Sequence, residues 1–298
     1  MAEGRMNMGA ELRDKKALLV YRAPEYSPNN VSRDAAILDA VGERLRIASC
    51  CLDTCVEGEW PADIETFDVI FHMARKLSSI MRLEQLSHPV IYNAPQGVRH
   101  VAKSRELMLM LLESAGVRVP QWWAYEPETD EMFVCEPQLQ QLLPGWVKAM
   151  RPDGAQPDDV TFVRTPLEAD SRILEFTAQQ VPDIIVTKHL EGDLIKCYCV
   201  CNAGGEVAMI HWFYPQDTSY SKFGNAEQHN SPLSHIPFDA VLLNRLAVQI
   251  ASALDLQIFG FDAIVQSADD IAVIDVNDWP TFGVCRDEAA DAIVQLIE

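Results

Sequence analysis

Phe259-Gly-Phe-Asp-Ala-Ile-Val-Gln-Ser-Ala-Asp-Asp-Ile-Ala-Val-Ile-Asp-Val-Asn-Asp-Trp-Pro-Thr-Phe-Gly283 holds two apolar runs, 261–266 and 271–277, around a polar Ser267-Ala-Asp-Asp270 turn. The pattern predicts a β-hairpin. A turn centred there places residues whose numbers sum to 537 opposite one another, so Asp262 faces Asp275 and Asn277 follows on the same side. Like charges directly opposed on a sheet repel, and an apolar hairpin that carries them calls for a cation between them. Two carboxylates and an amide oxygen are hard ligands, the kind Mg²⁺ takes beside substrate phosphates.

Outward from the hairpin, composition narrows the possibilities. The 298 residues are 48% hydrophobic and 23% charged, enough for a sizeable core in two or three lobes. A formal net charge of −20 repels phosphate backbones, so nucleic acid is not expected as a partner. A phosphate-bearing ligand then needs a locally basic pocket, which makes the few well-placed lysines informative. The eight cysteines show no Cys-x-x-Cys pair; they read as reduced structural thiols, with Cys197, Cys199 and Cys201 on one face of a strand. The opening residues are charged throughout, and no stretch reaches the roughly 18 apolar residues of a membrane span. A cytoplasmic protein with no membrane partner is the expectation.

The first 95 residues alternate strand and helix. Apolar runs at 17–21, 67–71 and 89–92 are separated by helical patterns at 32–46, capped by Ser32, and at 76–87. A small parallel sheet is predicted. A helix over 102–115 ends at Gly116; short strands follow at 146–150 and 184–187, then a hairpin, 194–201 with 207–214. A long polar loop over 215–237, a helix at 238–254 and a last helix at 286–297 complete the chain.

A parallel first lobe, an antiparallel middle and a terminal hairpin reading Gly-Phe-Asp…Ile-Asp-Val-Asn resemble the ATP-grasp superfamily. The likeness is to its ribosomal-protein glutamate ligase, glutathione synthetase and inositol-phosphate kinase branches. The fold class implied is α/β and α+β: an N-terminal parallel α/β lobe, 1–95, then two α+β lobes, 96–186 and 187–298, clamping ATP. The resemblance assigns Asp262, Asp275 and Asn277 as ligands of Mg²⁺ or Mn²⁺, and Lys148, in Trp-Val-Lys-Ala-Met, to the ATP phosphates and adenine. It puts the backbone of Lys188, His189 and Leu190 against adenine and gives the ribose to Glu191 or Asp193, with Asp193 favoured. Lys196 matches the cation facing the transferred phosphate. Lys103 or Arg105 supplies another phosphate cation, and Lys222, in the long loop, a further catalytic one.

Two departures stand out. The loop after Lys148 has one glycine where relatives carry several, and Asp275 replaces the glutamate usual in the ligases, as in the inositol-phosphate kinases. Substrate contacts are expected from Ser27, Asn29, Arg75 and Arg286, because α/β sheets bind ligands at their strand ends and arginine grips carboxylates in two places. The reaction implied is ligation of a small-molecule or peptide carboxylate to an amine through an acyl phosphate, releasing ADP and phosphate. A small-molecule kinase and a non-enzymatic nucleotide-binding module are the alternatives.

Overall fold

The computed structural model describes residues 12–13, 15–27, 30–126, 132–151, 156, 158–202, 204–217 and 233–297. Asn29, Lys222 and most of the glycine-poor loop after Lys148 lie outside the described residues.

Three four-stranded sheets carry the chain. The first joins β1 (Lys16–Tyr21), β2 (Cys51–Val56), β3 (Val69–His72) and β4 (Val90–Tyr92) in the order β2-β1-β3-β4, all parallel. Helices α1 (Val31–Ile47) and α2 (Leu77–Glu84) form two of its crossovers. Asn30, not Ser32, caps α1, its side chain accepting the Arg33 amide. Strand β2 is an addition to the sequence reading: its residues are exposed or half-buried at the sheet edge, so it carries no apolar run.

The helix expected over 102–115 is in fact the end of one helix and all of a second. Helix α3 (Pro95–Lys103) stops at Ser104, whose extended backbone and side-chain oxygen cap α4 (Arg105–Ser114) through the Leu107 amide. A cap inside an unbroken apolar rhythm is easily read as helix interior. The break matters, because it aims Arg105 at the site described below.

The second sheet is antiparallel, with order β5-β8-β6-β7: β5 (Trp122–Ala124), β6 (Gly145–Met150), β7 (Val160–Val163) and β8 (Asp183–Lys188). Helix α5 (Pro166–Ala178) covers its outer face through Ala169, Ile173 and Phe176. The third, also antiparallel, runs β10-β9-β11-β12: β9 (Asp193–Cys201), β10 (Val207–Phe213), β11 (Ile258–Ser267) and β12 (Asp270–Asp278). Both expected hairpins are present. Cys197, Cys199 and Cys201 are free thiols buried in the core that this sheet shares with α3, α4 and α6 (Ala240–Leu254).

The chain closes on itself. Helix α7 (Arg286–Val294) packs against α1, and Arg44 grips Asp287 and Asp291 across that contact. One core takes residues from β1, β3, β9, β11 and α7, with Trp279 and Phe282 from the segment after β12. Trp279 is 3% exposed and meets Phe71 edge-on, so it packs in this core.

Candidate active site

Strands β11 and β12 pair in the expected register from Phe259 to Asp262, so Asp262 stands opposite Asp275; the pairing then slips by one, and Ala263, Ile264 and Val265 face Val273, Ala272 and Ile271. Asn277 donates its amide to Asp275 Oδ2 at 3.1 Å. Side-chain cations meet both carboxylates. Lys196, opposite Asp262 on β9, places Nζ 2.9 Å from Asp262 Oδ2. Arg105, first residue of α4, donates to Asp275 Oδ1 at 3.2 Å and to the Ala149 carbonyl. Lys148 reaches across from β6 to the Ile274 carbonyl at 3.0 Å. Three cations from three elements thus converge on one pair of acids in a chain of net charge −20.

Burial and charge compete at each group. For Lys148, burial together with the nearby Arg105 guanidinium outweighs the attraction of Asp275 and Asp262, and its ammonium falls to about 8. Burial pulls Lys196 the same way, but the Asp262 carboxylate overcomes it and holds the ammonium above its ordinary value. Burial would raise Asp275; Arg105, Lys148, the Asn277 hydrogen bond and Lys196 together keep its carboxyl below the usual value. Near neutral pH Asp275 is ionised and Lys148 and Lys196 are charged.

The segment joining β8 to β9 borders a cavity of about 590 Å³, lined also by Arg118–Gln121 and Gln266; none of Arg105, Lys148, Lys196, Asp262 or Asp275 lines it. The Trp146 indole donates to His189 Nδ1 at 3.1 Å, and Phe162 lies against both rings. His189 Nε2 is 3.5 Å from Glu191. The amides of Lys188 and His189 already donate to the Gln121 and Pro144 carbonyls.

Several expected residues are placed elsewhere. Asp193 is 2% exposed, and its two oxygens accept the Ser234 and Ile236 amides at 2.7 and 2.6 Å. It ties down the chain before α6. Lys103 sits with its ammonium 5.7 Å from the centre of the Tyr26 ring, while Arg105 takes the site position. Arg75 is committed to Asp278, Nη2 to Oδ1 2.5 Å. Ser27 ends the short turn after β1, and Arg286 opens α7 with Nε buried and unpartnered. Among the described residues, no hydrogen bond or ion pair joins either to the acid–cation cluster. Trp146 and Phe162 were missed in the sequence because an aromatic in an apolar strand reads as core.

No family model matches the chain, and no curated protein matches it in sequence. Solved structures do. The D-alanine–D-alanine ligase from Bacillus anthracis complexed with ATP superposes over 95% of this chain and 96% of its own, with TM-score 0.66 and 15% identity. The RimK domain protein ATP-grasp from Sphaerobacter thermophilus covers 94% and 98%, with TM-score 0.64 and 14% identity. The chain has the ATP-grasp fold. A third ATP-grasp relative in shape, the D-alanine–D-alanine ligase from Coxiella burnetii, gives TM-score 0.68 at 13% identity over 95% and 94% of the two chains. At such identities the likeness is one of fold, and the chemistry of this ATP-grasp chain is argued from its own residues.

Proposed function

We propose that this ATP-grasp protein is a Mg-ATP-dependent carboxylate–amine ligase. The carrying observation is the convergence of Arg105, Lys148 and Lys196 on the opposed Asp262 and Asp275. The donor set suits a hard divalent cation: two carboxyl side chains face each other, and a flip of the Asn277 amide turns its oxygen toward them. Asp262, Asp275 and Asn277 would hold Mg²⁺ or Mn²⁺. When bound, the metal supplies charge neutralisation on the phosphates.

The remaining work falls to the chain's own side chains. Lys148 and Arg105 bind phosphate oxygens, and Lys196 faces the phosphoryl group being transferred. Their charge matters most as negative charge spreads over that group. The adenine lies along the β8–β9 segment near Trp146 and Phe162. There Leu190 and the backbone carbonyls are the available partners, since the Lys188 and His189 amides are engaged. Glu191 takes the ribose hydroxyls.

A substrate carboxylate oxygen attacks the γ-phosphorus, the bond to the bridging oxygen breaks, and ADP leaves with an acyl phosphate remaining. The amine then attacks the carbonyl carbon, the carbon–oxygen bond to phosphate breaks, and the amine proton passes to solvent. Both steps are positioning and charge stabilisation; no side-chain nucleophile is needed.

Phosphorus NMR of ATP with Mg²⁺, candidate acids and candidate amines tests this. ADP plus free phosphate, requiring both acid and amine, is expected. ADP with a phosphate ester and no free phosphate would establish the kinase reading instead, and nucleotide binding without turnover the non-enzymatic one.

A further inference from the structure

Asp278 closes β12 one residue beyond Asn277, so strand alternation sends its side chain to the opposite face. It is 1% exposed, and neither oxygen has a hydrogen bond of good geometry. Its ion-pair contact is the Arg75 guanidinium, 2.5 Å from Oδ1, and the charge of the buried Arg22 also faces it. A buried carboxylate without a partner is expensive, so this pair holds the end of the strand wherever Arg75 holds it.

Arg75 is itself anchored. Glu57, 6% exposed, accepts the Arg75 and Lys76 amides on one oxygen at 3.0 and 2.9 Å. Its other oxygen accepts the Ala23 amide at 2.9 Å. One side chain thereby fixes the segments that leave β1 and β3. Arg22, beside them, stands 3.9 Å from Asp34, and His72 bonds the Asn93 carbonyl. The first sheet therefore fixes the backbone from which the Arg75 guanidinium reaches the strand that carries Asp275 and Asn277.

We infer that Arg75, acting through Asp278, is a positioning residue for the metal-binding face of β12, setting where Asn277 and Asp275 lie. The inference rests on reading the hairpin as a metal site. It reassigns Arg75 from substrate contact to geometry: the first lobe has a part in metal binding without touching the metal. Groups that hydrogen-bond a metal ligand typically change affinity about 10- to 100-fold when removed; Arg75 acts through the backbone of the neighbouring residue, so the lower end of that range is expected.

The sign of the effect makes the test decisive. Arg75→Met deletes a positive charge near the site, and by charge alone should tighten binding of a cation. Loss of positioning should weaken it. Mn²⁺ is titrated into ADP-saturated protein and followed by EPR, against a protein-free ADP control and the Asp262→Ala variant. Expected is Mn²⁺ binding about tenfold weaker in Arg75→Met, with a broadened bound-ion spectrum. Arg75→Lys keeps the charge but loses the planar fork. It should fall between, and serves alone if Arg75→Met does not fold by circular dichroism. Unchanged or tighter binding in the folded variants overturns the inference. A wild-type protein with no Asp262-dependent Mn²⁺ binding overturns the metal reading itself, and this inference with it.

Discussion

Lys148 is the residue whose chemistry is most exposed to pH. Burial places its folded value at about 8 against 10.5 when free. Between those values the unfolded chain carries more protons than the folded one, so stability from this group rises with pH across that window. Phosphate binding runs the other way, because the charge that attracts ATP is lost as pH passes about 8. Calorimetric titration should show ATP affinity falling about tenfold from pH 7.5 to 9.5, an order-of-magnitude expectation for one lost cation. Lys148→Arg should flatten that fall. A wild-type profile already flat would refute the assignment. Asp275→Ala tests the acids: ATP turnover should drop at least about a hundredfold. Asp275 offsets the charge of Arg105 and Lys148, so its loss leaves those cations facing each other and should also lower the melting temperature, by about 2–4 °C per kcal/mol lost in a chain of this size. Turnover close to wild type would remove Asp275 from the mechanism.

At the scale of elements, two small devices set the site. Ser104 splits one apolar rhythm into α3 and α4, and also donates to Asp183 at 2.7 Å. Without that cap Arg105 would not open a helix beside Asp275. Ser104→Ala should cost about 1 kcal/mol for the cap and raise the KM for ATP, read from steady-state assays together with urea unfolding. Glu57 is the second device. Glu57→Ala leaves three amides without their acceptor, each costing about 1–3 kcal/mol where water cannot reach. Urea unfolding should show a loss of at least about 3 kcal/mol. A loss under about 1 kcal/mol would mean that solvent replaces the carboxylate and the segments after β1 and β3 are held by other contacts.

At the scale of the molecule, the C-terminal helix belongs to the first sheet as much as to the third. Ala289, Ala290, Ile293 and Val294 share one core with Ile37 and Leu38 of α1 and with Tyr198 and Ile258 of the third sheet. Deleting residues 286–298 should therefore unfold more than a terminus. Circular dichroism and calorimetry should find broad, low-enthalpy melting, where a truncated chain with one sharp transition near the wild-type temperature would show the sheets to be independent. The surface Arg44 pairs at this contact are partly exposed and worth about 1 kcal/mol or less; the apolar burial decides.

Much of the fold was legible in the chain because it is written in local periods. The hairpin register followed from a turn between two apolar runs, and with it the opposition of Asp262 and Asp275. Lys148 and Lys196 were singled out through the resemblance of their strands to the ATP-grasp pattern. What the tertiary structure alone decided is which polar group meets which. Asp193 and Glu191 are neighbours of similar chemistry, and only the chain before α6, returning to offer two amides, takes Asp193 out of contention. Lys103 and Arg105 are separated by one cap residue, and only the direction of α4 selects Arg105. Arg75 and Asp278 lie some two hundred positions apart and pair because a buried charge must find its opposite wherever the fold brings one. Periodicity along the chain carries burial and pairing. Partnership between distant polar groups has no period, and it exists only once the sheets have closed on one another.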